Sequence, residues 1–135
     1  MSGFIASERP DGIMYWRYED LRRDTTDEWT RTLRETTREY DAQQKHFCCV
    51  VHFGKGAMPT PYLTTEAIKV MRDLPTTLAM SVAMVAENNM IFGIVRFAMN
   101  KVSSTDYIRF FDTDEEAITW LKERQEEFEA KTPTP

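Results

Sequence analysis

The residues best suited to chemistry follow a short apolar segment in the first half of the chain. The run Phe47–Phe53 is β-rich and almost uniformly apolar, contains His52, and is followed by Gly54-Lys55-Gly56. A glycine loop at the carboxyl end of a strand can direct backbone N–H groups and a lysine at an anion. The Ser or Thr that a phosphate-binding loop places directly before a helix is missing. The sequence therefore favours a surface turn. In the alternative, an anion site, Lys55 would be the residue that contacts the anion.

Two threonines offer phosphorylation as a second kind of chemistry. Thr64 and Thr65 stand before a helical pattern of apolar residues, and a phosphoryl group is favourable at a helix N-terminus. A threonine at such a place also caps a helix without any modification. Phosphoacceptor and cap both stay open, and capping is the simpler interpretation.

The two histidines predict neither a metal centre nor a complete catalytic set. His46 and His52 are six residues apart on one strand, too far to bind one metal ion side by side. No nucleophile or orienting carboxylate can be placed beside His52 from the sequence. We therefore predict no metal and no cofactor, and we rank an enzyme acting through His52, Lys55 and the threonine helix start last. His52 is expected at the rim of a ligand-binding edge that includes Asn88 and Asn89.

Composition and charge exclude several classes of protein. The chain has 135 residues, 41% of them hydrophobic, and carries 17 Lys and Arg against 22 Asp and Glu, which gives a net charge of −5. This length predicts a single domain over residues 1–131, with 132–135 as a frayed tail. The acidic balance disfavours nucleic acid as a partner. Polar residues interrupt the longest apolar stretch, so stable membrane insertion is not expected.

The cysteines indicate a reducing compartment. Cys48 and Cys49 are adjacent inside the apolar run, where neighbouring side chains of a strand point to opposite faces and a disulfide between them would need unusual geometry. The first residues contain neither a basic leader nor a long apolar run. We therefore expect a cytoplasmic protein with buried, unreactive thiols.

Strand and helix patterns that alternate along the chain must position these residues. Alternation of this kind predicts parallel strands joined by helical crossovers. In chain order the predicted elements are a strand over 4–6, an antiparallel strand over 13–18, a helix from the capping box of Thr25 and Glu28 to about Gln44, a strand over 47–53, a helix from Thr64 or Thr65 to a stop at Pro75, a strand over 78–86, the segment 90–99, a strand over 107–111, and a helix from the capping box of Thr113 and Glu116 to about Glu129.

The segment 90–99 is apolar at nearly every position, so its periodicity does not choose between a helix and a hairpin strand. Its Met and Ala residues favour a helix, whereas its Ile and Val residues favour a strand. A helix that is apolar all round cannot bury every face against one small sheet. If it is a helix, it should contact a protein partner or a second copy of the chain through Ile91, Phe92, Val95, Arg96 and Met99.

The end of the chain carries a resemblance to a known family. The stretch 110–121, Phe-Phe-Asp-Thr-Asp-Glu-Glu-Ala-Ile-Thr-Trp-Leu, resembles the closing strand and helix of STAS-like domains, and 89–97 is similar to the preceding helix of small stand-alone members. The resemblance implies a mixed sheet packed against helices, no intrinsic catalysis, and a regulatory or ligand-sensing role. Members related to the CRAL/TRIO lipid carriers hold an apolar ligand. The phosphoswitch of anti-sigma-factor antagonists is less well supported, because His52 replaces the usual Asp and the usual Asp-Ser pair is absent.

Together these patterns predict an α/β fold with a small, mostly parallel, mixed sheet of four to five strands and about four helices. The leading functional hypothesis is a non-enzymatic STAS-like module that acts by protein contact or self-association. The alternative is a carrier or sensor of a small apolar, lipid-like ligand, which a methionine-rich interior could accommodate.

Overall fold

Five strands and four helices alternate in the computed structural model, which describes residues 2–87, 90–102 and 106–131. The predicted tail 132–135 lies outside these residues. In chain order the elements are β1 (Phe4–Glu8), β2 (Met14–Tyr18), α1 (Arg23–Ala42), β3 (Phe47–Phe53), α2 (Pro61–Arg72), β4 (Met80–Ala86), α3 (Met90–Met99), β5 (Ile108–Phe111) and α4 (Asp114–Lys131).

The strands form one mixed sheet in the order β1-β2-β3-β4-β5. β1 runs antiparallel to β2. The turn that joins them contains Gly12, whose φ is 85°. All other neighbours are parallel. Every residue of β3 is buried, as expected for a central parallel strand that is covered on both faces. The α/β fold with a small, mostly parallel sheet is therefore confirmed.

The helices divide between the two faces of the sheet. α2 packs between α1 and α3, whereas α4 packs on β3, β4 and β5. Each face has its own buried cluster, and adjacent residues of one strand belong to different clusters because side chains alternate along a strand. Val51 and the α1–α3 residues Leu33, Leu63 and Ile91 belong to the first cluster, and Val50, Ala83, Ala117 and Leu121 belong to the second.

The segment 90–99 is a helix, so the hairpin alternative is wrong. α3 crosses between β4 and β5, which are parallel and pair Val82 with Ile108. Its inner side buries Ile91 completely, and its outer side leaves Met90 63% and Phe97 50% exposed. Ile91 was predicted at a partner contact, and full burial in the core corrects that prediction.

The start of α4 confirms the predicted cap at Thr113 and its pairing with Glu116. The Thr113 hydroxyl accepts a hydrogen bond from the Glu116 backbone N–H at 3.2 Å and donates one to the Glu116 carboxylate at 3.1 Å. Behind this cap, Ala117 and Leu121 are fully buried against the sheet. Trp120 is only partly buried, with its ring 5.5 Å from that of Phe111.

The N-caps predicted for α1 and α2 are wrong. α1 begins at Arg23, before Thr25, whose hydroxyl donates to Asp20 at 2.6 Å and accepts from the Gly3 backbone N–H at 2.8 Å. α2 begins at Pro61, and Thr60 caps it by accepting from the Leu63 backbone N–H at 3.0 Å. Proline favours the first helical position because it has no N–H to leave unpaired, so this helix starts earlier than Thr64 and Thr65 suggest.

No helix in the described ranges combines the length and the apolar character that are needed to cross a bilayer.

Candidate functional site

The carboxyl ends of β3 and β4 meet the first turn of α4 around His52. The His52 Nδ1 lies 2.8 Å from an oxygen of Asp114, the first residue of α4. Its Nε2 lies 2.9 Å from an oxygen of Glu87, which directly follows β4. The histidine side chain thus bridges two carboxylates from different elements.

Carboxylate oxygens face both ring nitrogens of His52, a residue that is only 9% exposed. Polar atoms that are buried to this extent need such partners. The hydrogen bond from His52, helped by the charge of Arg17, lowers the pKa of the Glu87 carboxyl below its usual value.

Two side chains of β2 complete the cluster from the neighbouring strand. The Tyr15 hydroxyl donates to the second oxygen of Asp114 at 2.7 Å, and burial, together with this hydrogen bond, raises the pKa of Tyr15 to about 12. The Arg17 guanidinium donates to Glu87 at 3.2 Å and also to Glu19. Each carboxylate that faces His52 therefore also accepts a hydrogen bond from a side chain of β2. We call these five side chains the His52 network: Tyr15, Arg17, His52, Glu87 and Asp114.

The His52 network cross-links β2, β3, the residue after β4 and the first turn of α4 through hydrogen bonds and the Arg17–Glu87 ion pair. Both ring nitrogens are occupied, and the Tyr15 proton is held by Asp114. Within the described part of the chain, no serine, threonine or cysteine hydroxyl or thiol hydrogen-bonds to His52. The network joins the residue that follows β4 to the start of α4.

The glycine loop packs against the end of β2. The Gly54 backbone N–H donates to the Tyr18 carbonyl at 2.8 Å. A Cβ at Gly56 would lie 2.6 Å from the Glu19 carbonyl oxygen, so no larger residue fits there without movement. Close backbone approach explains both glycines, which supports the surface-turn interpretation. Lys55 is exposed beside them.

The other predicted site residues do not join the His52 network. Thr64 is partly buried, and its hydroxyl donates to the Thr60 carbonyl at 3.2 Å. Thr65 is exposed on the outside of α2. Asn88 and Asn89 lie outside the described residues.

A second polar cluster surrounds His46 at the opposite end of β3. The His46 Nε2 lies 2.9 Å from the hydroxyl of Ser81, which also accepts from Arg124 at 3.3 Å. Burial, helped by the charge of Arg124, lowers the pKa of His46 to about 4, so the ring is neutral near pH 7. Burial raises the pKa of the neighbouring Cys48 thiol to about 12, which keeps it protonated. The two histidines thus belong to separate clusters.

No group of three or more His, Cys, Asp and Glu side chains within residues 2–87, 90–102 and 106–131 is arranged to hold a metal ion. The sequence missed the carboxylates beside His52 because they are far away in the chain, 35 residues for Glu87 and 62 for Asp114. The parallel register brings them together, since it pairs His52 with Val85 near the end of β4. The capping box at Thr113 was the one available signal, because it places Asp114 at a helix start.

Comparison with known proteins adds no assignment to this geometry. No family model, no curated protein and no solved structure matches the chain.

Proposed function

We propose that the chain is a non-catalytic regulatory module, similar to STAS-like domains, that acts by pairing the outer face of α3 with that of a second copy. The observation that carries this proposal is the apolar outer face of α3. The mixed sheet with helices on both faces supports the resemblance. The occupied ring nitrogens of His52 support a structural role for the polar site over a catalytic one.

The outer face of α3 is flat as well as apolar. Met90, Gly93 and Phe97 are three and four residues apart, so they share one face of the helix. A Cβ placed on Gly93 would meet nothing within 4 Å, so another backbone can approach closely there. Exposed apolar area is unfavourable in water by about 25 cal/mol per Å². Burial between two chains would remove this cost.

The surface beside this face favours a second copy as the partner. A groove next to α3 contains cations and carboxylates together, from Arg96 and Arg109 to Asp112 and Glu116. The Arg96 guanidinium lies 4.6 Å from the centre of the Phe110 ring, which places it at the rim of the apolar face. A two-fold interface brings the same patch of each chain together, so a patch that carries both signs of charge can complement itself.

Three of the remaining predicted contact residues are partly buried. Phe92, Val95 and Met99 each keep some exposed surface, and the Phe92 ring packs on that of Phe110 at 4.8 Å. Phe92 and Met99 would therefore contribute to the border of the interface, with Met90 and Phe97 at its centre, whereas Val95 packs against the core.

Sedimentation velocity tests the proposal. The unmodified chain is expected to form a dimer at micromolar concentration, and Phe97→Ser is expected to sediment as a monomer, because it removes the largest exposed ring of α3. Ile5→Ser is the matched control, since Ile5 is 54% exposed on β1, away from α3. A monomeric unmodified chain, or a dimer that Ile5→Ser dissociates and Phe97→Ser leaves intact, would contradict the proposed interface.

A further inference from the structure

A cleft of about 710 Å³ opens where the first residues of β4 and β5 meet the ends of α2 and α3. It lies at the edge of the sheet opposite to His52, because parallel strands all begin at one edge and end at the other. Pockets that bind small molecules usually have volumes of about 300–1,000 Å³. The cleft is therefore large enough for a small organic molecule.

One wall of the cleft is apolar and adaptable. Its side chains are partly buried and pack against the core of the sheet: Met71, Leu74, Leu78, Met80 and Tyr107. Methionine is flexible and polarizable, so it adjusts to the shape of a ligand. This wall can hold the apolar body of a bound molecule.

Three cations from three different helical regions line the rest of the cleft. Arg72 ends α2, Lys101 follows α3, and Arg124 belongs to α4. Among the described residues of the lining, Asp106 is the one carboxylate. Three positive charges and one negative charge give the cleft an excess of two positive charges in a chain whose net charge is −5. The cleft therefore attracts an anion against the overall charge of the protein.

Two of these cations are held in place and keep donors for a ligand. The Arg72 guanidinium donates to the Lys101 carbonyl at 2.8 Å, and that of Arg124 donates to the Ser81 hydroxyl at 3.3 Å and to Glu127 at 2.9 Å. A guanidinium has five N–H donors, so each retains N–H groups that these contacts do not use. Side chains that are already positioned lose less conformational entropy when a ligand binds.

We propose that this cleft binds a small phosphate monoester, with the phosphate group at Arg72, Lys101 and Arg124 and the organic part on the apolar wall. A phosphate monoester carries a charge of about −1.5 to −2 near pH 7, which matches the excess charge of the cleft, and it offers three acceptor oxygens. A simple carboxylate has one charge and two oxygens, so it matches less well. This site is at the amino ends of the strands and does not depend on the proposed self-association.

The experiment compares three probes that separate charge from apolar contact. Phenyl phosphate has both, inorganic phosphate has no apolar body, and benzyl alcohol has no charge. Each is titrated into the protein while the methyl resonances of Leu78 and Val102, which line the cleft, are followed by NMR. Phenyl phosphate is expected to cause saturable shifts, inorganic phosphate to bind about tenfold more weakly, and benzyl alcohol to cause no saturable shift.

Lys101→Gln is the first test variant. Lys101 is exposed, and no hydrogen bond or ion pair of its ammonium group occurs within residues 2–87, 90–102 and 106–131, so the fold should tolerate the change. We expect it to weaken binding of phenyl phosphate by about tenfold, since it removes a charged donor. Arg72→Gln should have a similar effect and provides a second variant, because Arg72 belongs to α2 and not to the proposed dimer face.

Lys55→Gln is the matched control. It also removes one exposed cation, but from the glycine loop that follows β3, at the opposite edge of the sheet. We expect it to change binding by less than about twofold. The proposal is overturned if phenyl phosphate causes no saturable shift, if inorganic phosphate or benzyl alcohol binds equally well, or if Lys55→Gln weakens binding as much as Lys101→Gln.

Vesicles that contain phosphatidic acid carry the same phosphate monoester on a lipid. The protein is expected to stay in the supernatant when such vesicles are sedimented, because an acidic chain is repelled by an anionic surface. Binding to these vesicles that Lys101→Gln abolishes, without binding of phenyl phosphate, would assign the cleft to a membrane surface and overturn the proposal.

Discussion

Replacing Asp114 by alanine tests whether the His52 network stabilises the fold. The substitution removes the acceptor of two hydrogen bonds, from His52 at 2.8 Å and from Tyr15 at 2.7 Å. Hydrogen bonds to charged groups contribute about 1.5–3 kcal/mol each. The Asp114 side chain is 35% exposed, so water can replace part of what is lost. We therefore expect Asp114→Ala to lower the free energy of unfolding by about 2–4 kcal/mol.

The matched control is Glu115→Ala, one residue further along α4. Both variants remove a carboxylate from the first turn, so both lose the same favourable interaction with the helix dipole, about 0.3–1 kcal/mol. Glu115 is exposed, and among the described residues none of the hydrogen bonds of the His52 network involves its carboxylate. The difference between the two variants in urea denaturation at pH 7 then measures the network alone. A difference below about 0.5 kcal/mol would refute the reasoning, because it would mean that His52 and Tyr15 find equivalent partners in water.

Two further predictions concern the face of the sheet that α4 covers. The pKa of His46 is lowered from 6.5 to about 4 in the folded chain, so between these values the unfolded state binds more protons; stability should fall as the pH decreases from 6.5 to 4, and denaturation of His46→Asn across that range should show a flatter dependence. Leu121→Ala should cost about 2–5 kcal/mol, because Leu121 is fully buried, and more than Trp120→Ala, whose ring is partly exposed. A larger loss for Trp120→Ala in the same denaturation series would contradict this ordering.

Local signals predicted the framework well, and the failures have physical causes. The uniform burial of β3 and the capping box at Thr113 depend on short-range chemistry, so the sequence was enough to predict them. Thr25 also has a capping-box pattern, but its hydroxyl is taken by Asp20 and by the backbone of Gly3. A tertiary contact therefore overrode the local preference.

The candidate site was harder to predict because it depends on the sheet register. His52 was chosen from its place at a strand end, and its two carboxylate partners come from the residue after β4 and the start of α4. A cavity between the sheet and the helices α1, α2 and α3 was not predictable at all, since its walls come from four strands and three helices and its volume depends on how they pack.

The order of the strands has a consequence for synthesis on the ribosome. Because spatial order follows chain order through all five strands, each new strand can pair with the one made just before it. Among the described helices, α4 covers the opposite face of β3 and β4. That face stays exposed until residues 114–131 leave the ribosome. Its apolar side chains, among them Val50, Ala83 and Val85, are then prone to aggregate. A nascent chain that stalls before α4 would therefore be a natural substrate for a chaperone that recognises exposed apolar strands.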